Sequence, residues 1–270
     1  MAHTHTIRLV ATDLDGTLVT GGHHIPERCV QAISAAKERG VHVVIATGRM
    51  HHSAREFAER LGLGDEAVIS YNGAMVRTAE SAETILHDPV PADLAEEILE
   101  YCTSHRANIH YYVDDVMYVL KMEHYARSYW ERTGSLPVPI GDVRQLRGTV
   151  PTKILVIDRP ERAQMFLDEG RERFGDRVYV THSLPEYVEY LNPRASKGRA
   201  LKALAAHLGI PIEECMACGD MTNDLPMVEM AGLGIAMAHS PDAVKDAAFH
   251  VTGEGDEGVA EAIEKFVLDA

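Results

Sequence analysis

Residues 41–46 read Val-His-Val-Val-Ile-Ala, an apolar run with no polar alternation beyond His42. A strand of that kind must be covered on both faces, which happens in a parallel sheet flanked by helices. The run is not isolated. Residues 7–12 form a second candidate strand, and between the two lies a helical pattern over residues 26–39, with Pro26 in the first turn, Val30 and Ile33 on one face and Gly40 as a stop. A helix over about 53–61, a strand over 67–70 and the turn Asn72-Gly73 follow. The rhythm resumes at Lys197 with a helix whose stripe is Leu201, Leu204 and Leu208, ended by Gly209. Next come a strand at 215–218, a helix near 225–230, a short strand at 233–237, a strand at 249–252 and a closing helix. This order predicts an α/β fold, a Rossmann-like doubly wound parallel sheet.

The middle third breaks the rhythm. Residues 108–113 and 116–120 flank Asp114-Asp115, a hairpin signal. A strand at 153–158, a helix around 163–174 and strands at 178–181 and 187–191 complete an inserted α+β unit. The expected boundaries are 1–83 with 192–270 for the core and 84–191 for the insert.

Composition narrows the functional classes. The chain has 46% apolar and 25% charged residues, as in ordinary globular proteins, and no run of about 18 apolar residues that would suggest a membrane span. The opening Met-Ala-His-Thr-His-Thr lacks the pattern of a secretory signal, and four scattered cysteines do not make a disulfide framework. A reducing cytoplasm is the expected setting. A net charge of −15 argues against nucleic acid or an anionic membrane as partner. It also means that any anionic ligand needs locally concentrated positive charge from a metal ion, a lysine or helix N-termini.

Four polar segments follow predicted strands or open predicted helices. Asp13-Leu14-Asp15-Gly16-Thr17-Leu18 leaves the first strand where doubly wound sheets bind ligands. Two carboxylates at that spacing repel each other unless a cation intervenes or one holds a proton, a division that suits a nucleophile beside a general acid/base. An Asp-Gly pair can also merely shape a turn. Thr47-Gly48-Arg49 offers a hydroxyl and backbone N–H groups to phosphate oxygens, although Thr-Gly after a strand is often only a turn. Lys197-Gly198 puts a cation at a helix start, against the macrodipole, at a cost of about 0.3–1 kcal/mol if exposed. Bound phosphate would offset that cost; a solvated lysine is the alternative. Gly219-Asp220-Met221-Thr222-Asn223-Asp224 supplies oxygen donors suited to magnesium.

In this order the four segments resemble the motifs of the haloacid dehalogenase superfamily, in its Cof-type phosphatase branch with a large C2-type cap inserted between the second and third. Tyr71-Asn72-Gly73-Ala74 and Asp256-Glu257-Gly258-Val259-Ala260 match further signatures of that branch. The resemblance implies a Mg2+-dependent phosphatase acting on a small phosphomonoester, such as a sugar phosphate or pyridoxal phosphate, through a phosphoaspartyl intermediate. It implies Asp13 as nucleophile and metal ligand, and Asp15 as general acid/base and metal ligand through its carbonyl. Thr47, Gly48, Lys197 and Asn223 would bind phosphate, Asp220 would complete the metal site, and Asp224 would orient Lys197 or stand behind the ligands. Family dehalogenases lack the second Asp of the first motif, so Asp15 points to phosphoryl transfer. A phosphosugar mutase or phosphotransferase, or a non-catalytic sugar-phosphate sensor, remains open. Met237-Ala238-His239-Ser240 departs from the family's Asn-Ala pair and leaves the role of His239 open.

Other features are weaker. Gly253-Glu254-Gly255-Asp256-Glu257-Gly258 fits a dinucleotide fingerprint, but its three acidic residues would face a pyrophosphate. Cys215-Met216-Ala217-Cys218 has no second pair and reads as a core strand. His51-His52 reads as a solvated or capping pair. Tyr111, Tyr112 and Tyr118 fit sheet packing as well as a sugar-stacking surface.

Overall fold

A computed structural model describes residues 6–20 and 23–269. The chain divides into two compact units, Met1–Leu86 with Ser196–Ala270, and His87–Ala195. In chain order the strands are β1 (Leu9–Thr12), β2 (His42–Ala46), β3 (Ala67–Ser70), β4 (Met75–Thr78), β5 (Thr84–His87), β6 (Asn108–Val113), β7 (Val116–Val119), β8 (Val138–Pro139), β9 (Lys153–Ile157), β10 (Tyr179–Leu184), β11 (Tyr187–Leu191), β12 (Cys215–Gly219), β13 (Leu233–Ala236) and β14 (His250–Val251). The helices are α1 (Glu27–Glu38), α2 (His51–Arg60), α3 (Ala92–Ser104), α4 (His124–Thr133), α5 (Pro160–Phe174), α6 (Lys197–His207), α7 (Leu225–Met230), α8 (Asp242–Ala247) and α9 (Gly258–Ile263).

The first unit is built on a sheet of order β14-β13-β12-β1-β2-β3-β4-β5. β1 is parallel to both its neighbours, with Leu9 opposite His42 on one side and Cys215 on the other. Alternate side chains of β1 feed opposite layers. Val10 joins Ile33, Phe57 and Ile263 in one cluster, while Leu9 and Ala11 join Leu201, Leu204 and Met227 in another. That two-sided burial is why the strands lack polar alternation. Burying the α6 leucines 201 and 204 contributes roughly 1.5–3 kcal/mol each relative to exposure.

The sheet is not uniformly parallel. After Asn72 and Gly73 the chain turns back, so β4 runs antiparallel to β3, with Ser70 opposite Met75. This antiparallel extension has no period to predict it, because β4 and β5 are short and mixed in polarity. Helix α2 begins at His51 rather than Ser53, which buries His51 and leaves only His52 exposed, against the expected solvated pair.

The second unit carries a sheet of order β10-β11-β9-β6-β7-β8. The predicted hairpin is present: β6 and β7 pair antiparallel, and both Asp114 and Asp115 have positive φ, 51° and 60°. That is the left-handed conformation a two-residue type I′ turn requires. Helices α3 and α5 cover one face through Ile98, Tyr111, Ile154, Phe166 and Tyr190. Tyr111 and Tyr112 are therefore buried sheet residues, at 0% and 1% exposure. All four cysteines are free and buried. Among the described residues no helix is long and apolar enough to cross a membrane.

Candidate active site

Because β2 lies on one side of β1 and β12 on the other, the carboxyl end of β1 is a point where strand order diverges, the usual place for a crevice in an open α/β sheet. Asp13 follows β1 directly and is tied to the neighbouring strand end by its amide, which donates to the carbonyl of Cys218 at 2.9 Å. The turn after Asp13 is closed by the amides of Thr17, Leu18 and Val19, all donating to the carbonyl of Leu14. Gly16 sits in this turn with φ +94°, and a Cβ there would lie 2.5 Å from Asp220 Oδ2, so only glycine lets the two strand ends approach.

Lys197, the first residue of α6, is fully buried. Its Nζ donates to Asp13 Oδ1 and to Asp224 Oδ1, each at 2.5 Å. Helix α6 can deliver the lysine because Gly198 packs against α7, where a Cβ would meet the carbonyl oxygen of Pro226 at 2.2 Å. The second carboxylate oxygen of Asp224 accepts from the amides of Asp220 and Met221 at 3.0 Å each. Asp220 in turn accepts from the Thr17 hydroxyl at 2.7 Å.

Electrostatics follow from that packing. Burial pushes the carboxyl of Asp13 well above the usual carboxylate range; Asp224 and Asp220 add to the rise, while Lys197 opposes it. Asp220 is raised too, chiefly by burial, with the Thr17 hydroxyl acting the other way. Burial works to lower the ammonium of Lys197, but the charges of Asp13 and Asp224 outweigh it and hold the group above its ordinary value. Three buried carboxylates around one lysine leave an excess of negative charge.

The donor set fits a hard cation. Ligand oxygens of Asp13, Asp220 and Asp224 all lie within 4.8 Å of one another, with no thiolate or imidazole among the three. Both oxygens of Asp224 are already engaged, by Lys197 and by the two amides, which leaves Asp13 and Asp220 as the carboxylates available to an ion. The imidazole of His239, in the segment that departs from the family pattern, stands 3.5 Å from Asp220 Oδ2.

The remaining residues form a neighbouring layer. The carboxylate of Asp15 is turned toward Arg49, which donates from Nε at 2.8 Å and from Nη2 at 2.5 Å. Arg49 also lies over the Phe57 ring, 4.8 Å from its centroid. Thr47 is buried, and its hydroxyl accepts from the amide of Arg49 at 3.1 Å. The close turn at Gly48 meets Asn72, whose Oδ1 would be 2.9 Å from a Cβ on Gly48. Asn223 donates to that same Asn72 Oδ1 at 3.1 Å. Asn72 holds φ at +55°, a conformation asparagine tolerates better than most residues. Sequence reasoning gave no role to Thr17, Arg49 or Asn72. The one available signal was that all three lie inside segments already singled out.

Comparison with known proteins agrees with this architecture. A family model described as haloacid dehalogenase-like hydrolase matches residues 10–263. HMP-PP phosphatase of Escherichia coli is 30% identical over 233 residues, spanning 86% of this chain and 85% of its own length. The 5-amino-6-(5-phospho-D-ribitylamino)uracil phosphatase YitU of Bacillus subtilis is 29% identical, over 96% of this chain and 97% of its own. The crystal structure of TM0651 from Thermotoga maritima superposes with a TM-score of 0.88 at 32% identity, covering 96% of this chain and 97% of that one. Fold and site thus define a hydrolase of the phosphatase class. The chain belongs to the haloacid dehalogenase-like hydrolase family.

Proposed function

We propose that the protein is a magnesium-dependent phosphatase that hydrolyses a small phosphomonoester through a phosphoaspartyl intermediate on Asp13. The observation that carries this reading is the convergence of Asp13, Lys197, Asp220 and Asp224, drawn from three distant segments, on one buried cluster. Asp13, Asp220 and the backbone carbonyl of Asp15 would hold the ion. Magnesium supplies charge neutralisation between a carboxylate nucleophile and an anionic phosphate, which otherwise repel.

In the first step an Asp13 carboxylate oxygen attacks phosphorus, the bond from phosphorus to the ester oxygen breaks, and Asp15 hands a proton to the departing alkoxide. In the second, Asp15 takes a proton from water as the water oxygen attacks the same phosphorus. The bond to Asp13 then breaks and inorganic phosphate is released. Lys197, Thr47, the amide at Gly48 and Asn223 hold the equatorial oxygens, and Asp224 fixes the lysine. Asp15 has to leave Arg49 to serve in either step.

The substrate class rests on the relatives. Those compared act, by their names, on small phosphorylated compounds rather than on polymers. The test is phosphate release from a panel of sugar phosphates, nucleotides and pyridoxal phosphate, with magnesium and without any acceptor. Undiminished release by Asp13→Asn would overturn the assignment of the nucleophile, and transfer of the phosphoryl group to a sugar with no inorganic phosphate released would make the protein a mutase.

A further inference from the structure

The second unit carries an open pocket of about 290 Å³ that involves none of the candidate active-site residues. It lies where the chain leaves α3, enters β6, leaves β7 and starts α4. Its apolar walls include Val119, Ala126 and Val143, and three polar features converge on it.

The first is His110. The residue is 1% exposed and lines the cavity, and its Nδ1 has no hydrogen-bond partner. The ring stands edge-on to Tyr129, with centroids 4.9 Å apart. Burial pushes this imidazole down to about 3, with Lys153 acting the same way, so the group is neutral at ordinary pH. Whichever nitrogen carries the proton, Nδ1 is a buried polar atom left alone, a state that costs stability.

The second is the start of α4. The helix is 10 residues long, has no side-chain cap and has no acidic residue in its first turn. Glu123, Tyr125 and Ala126, which frame that turn, all line the cavity. Uncapped first-turn amides and the positive end of the macrodipole favour an anion.

The third is Arg106 with Lys121. Both line the cavity, and among the described residues neither takes part in an ion pair. On a chain of net charge −15, two cations left without a carboxylate beside one cavity are conspicuous. Glu123 is the opposing charge at the rim, and its side chain does not close onto the α4 amides.

We propose that this cavity binds a small organic monoanion with an apolar body and a hydroxyl group, of the aromatic hydroxycarboxylate type. Lys121, Arg106 and the first-turn amides of α4 take the carboxylate, Val119 and Val143 take the ring, and His110 Nδ1 takes the hydroxyl. This site is separate from the entry of the chain into the second unit. The cavity sits at the Asn108 end of β6, whereas the other end, at Tyr112, pairs with Lys153 beside Thr152, which bonds His87 at 2.9 Å. Six residues of strand span about 17 Å. The lining of the cavity lies wholly within the second unit.

The test titrates mandelate into the full chain with 15N-labelled histidine, the His110 ring signals being assigned by their loss in His110→Gln. The expected result is a saturable shift of those signals that persists in Asp13→Asn and in the presence of inorganic phosphate. Lys121→Glu should weaken the apparent Kd at least tenfold, with the thermal midpoint showing that the variant is folded. Val143→Trp, which fills the cavity, gives a second route to the same loss. Phenylethane-1,2-diol, which lacks the carboxylate, should leave the signals in place. An unmoved His110, an undiminished affinity in both Lys121→Glu and Val143→Trp, or displacement by phosphate would each overturn the proposal.

Discussion

Lys197 Nζ lies 2.5 Å from Asp224 Oδ1, and neither side chain is more than 1% exposed. A buried ion pair gives little net stability, but removing one partner strands the other at a cost of about 3–5 kcal/mol. Lys197→Met should therefore both abolish turnover and lower stability, because the three buried carboxylates lose the ammonium beside them. Asp224→Asn keeps an acceptor for the lysine and should lose activity at least tenfold with a smaller stability loss. Denaturant unfolding beside phosphate release separates the two effects.

Asp13→Asn should behave in the opposite way. The carboxyl of Asp13 is held above its usual range by burial, so its charged form is a burden on the folded state. A neutral isostere removes the nucleophile and that burden together. Turnover should fall at least a thousandfold while the thermal midpoint of the metal-free protein holds or rises.

The same shift sets a pH dependence. Asp13 and Asp220 have folded-state values above the usual 3.8, so the folded protein binds more protons than the unfolded chain. Their contribution is fully present below that ordinary value and is lost as pH rises through the raised folded values. Metal-free stability should thus decline from about pH 4 toward neutrality. Saturating magnesium should offset the decline, by about 2.7 kcal/mol at one hundred times its Kd. EDTA titrations of unfolding at pH 5 and pH 8 check this, and equal metal stabilisation at both would contradict it.

Gly198→Ala tests the packing that delivers the lysine. The added methyl meets backbone rather than a flexible side chain, at 2.2 Å from the carbonyl oxygen of Pro226. Overpacking of that kind costs about 1–3 kcal/mol. The expected variant is folded, destabilised in that range and slower in kcat, since α6 must shift and carry Lys197 with it.

Arg49→Gln probes the arginine that grips Asp15. The side chain of Asp15 is 55% exposed, so the pair contributes no more than about 1 kcal/mol to stability. The expected change is in catalysis: kcat holds or rises while KM moves little, because Asp15 no longer has to break from Arg49 before it transfers a proton. Steady-state kinetics on any substrate that releases phosphate distinguishes this from a binding defect.

Much of the first unit was legible because its central strands are apolar on both faces and end in polar turns. β1, β2 and β12 announce themselves, and so does the Asp114-Asp115 hairpin, where two short acidic residues at a turn tolerate positive φ. What stayed hidden depends on distance. The partnership of Arg49 with Asp15 spans 34 residues, and that of Asn223 with Asn72 spans 151, so no local pattern encodes them. His51 is buried rather than solvated because α2 begins two residues earlier than its pattern predicts and carries it into the interior. The short strands β4 and β5 at one end of the sheet lack a period to read.

The pairing of β1 with β12 ties Leu9 to Cys215 and Ala11 to Ala217. During synthesis the amino-terminal strand therefore waits, one backbone edge bare, until the whole inserted unit has emerged from the ribosome. A nascent fragment stopping before Lys197 would carry Asp13 with neither the lysine nor its neighbouring strand in place. Chaperone capture of stalled chains should centre on this unpaired edge.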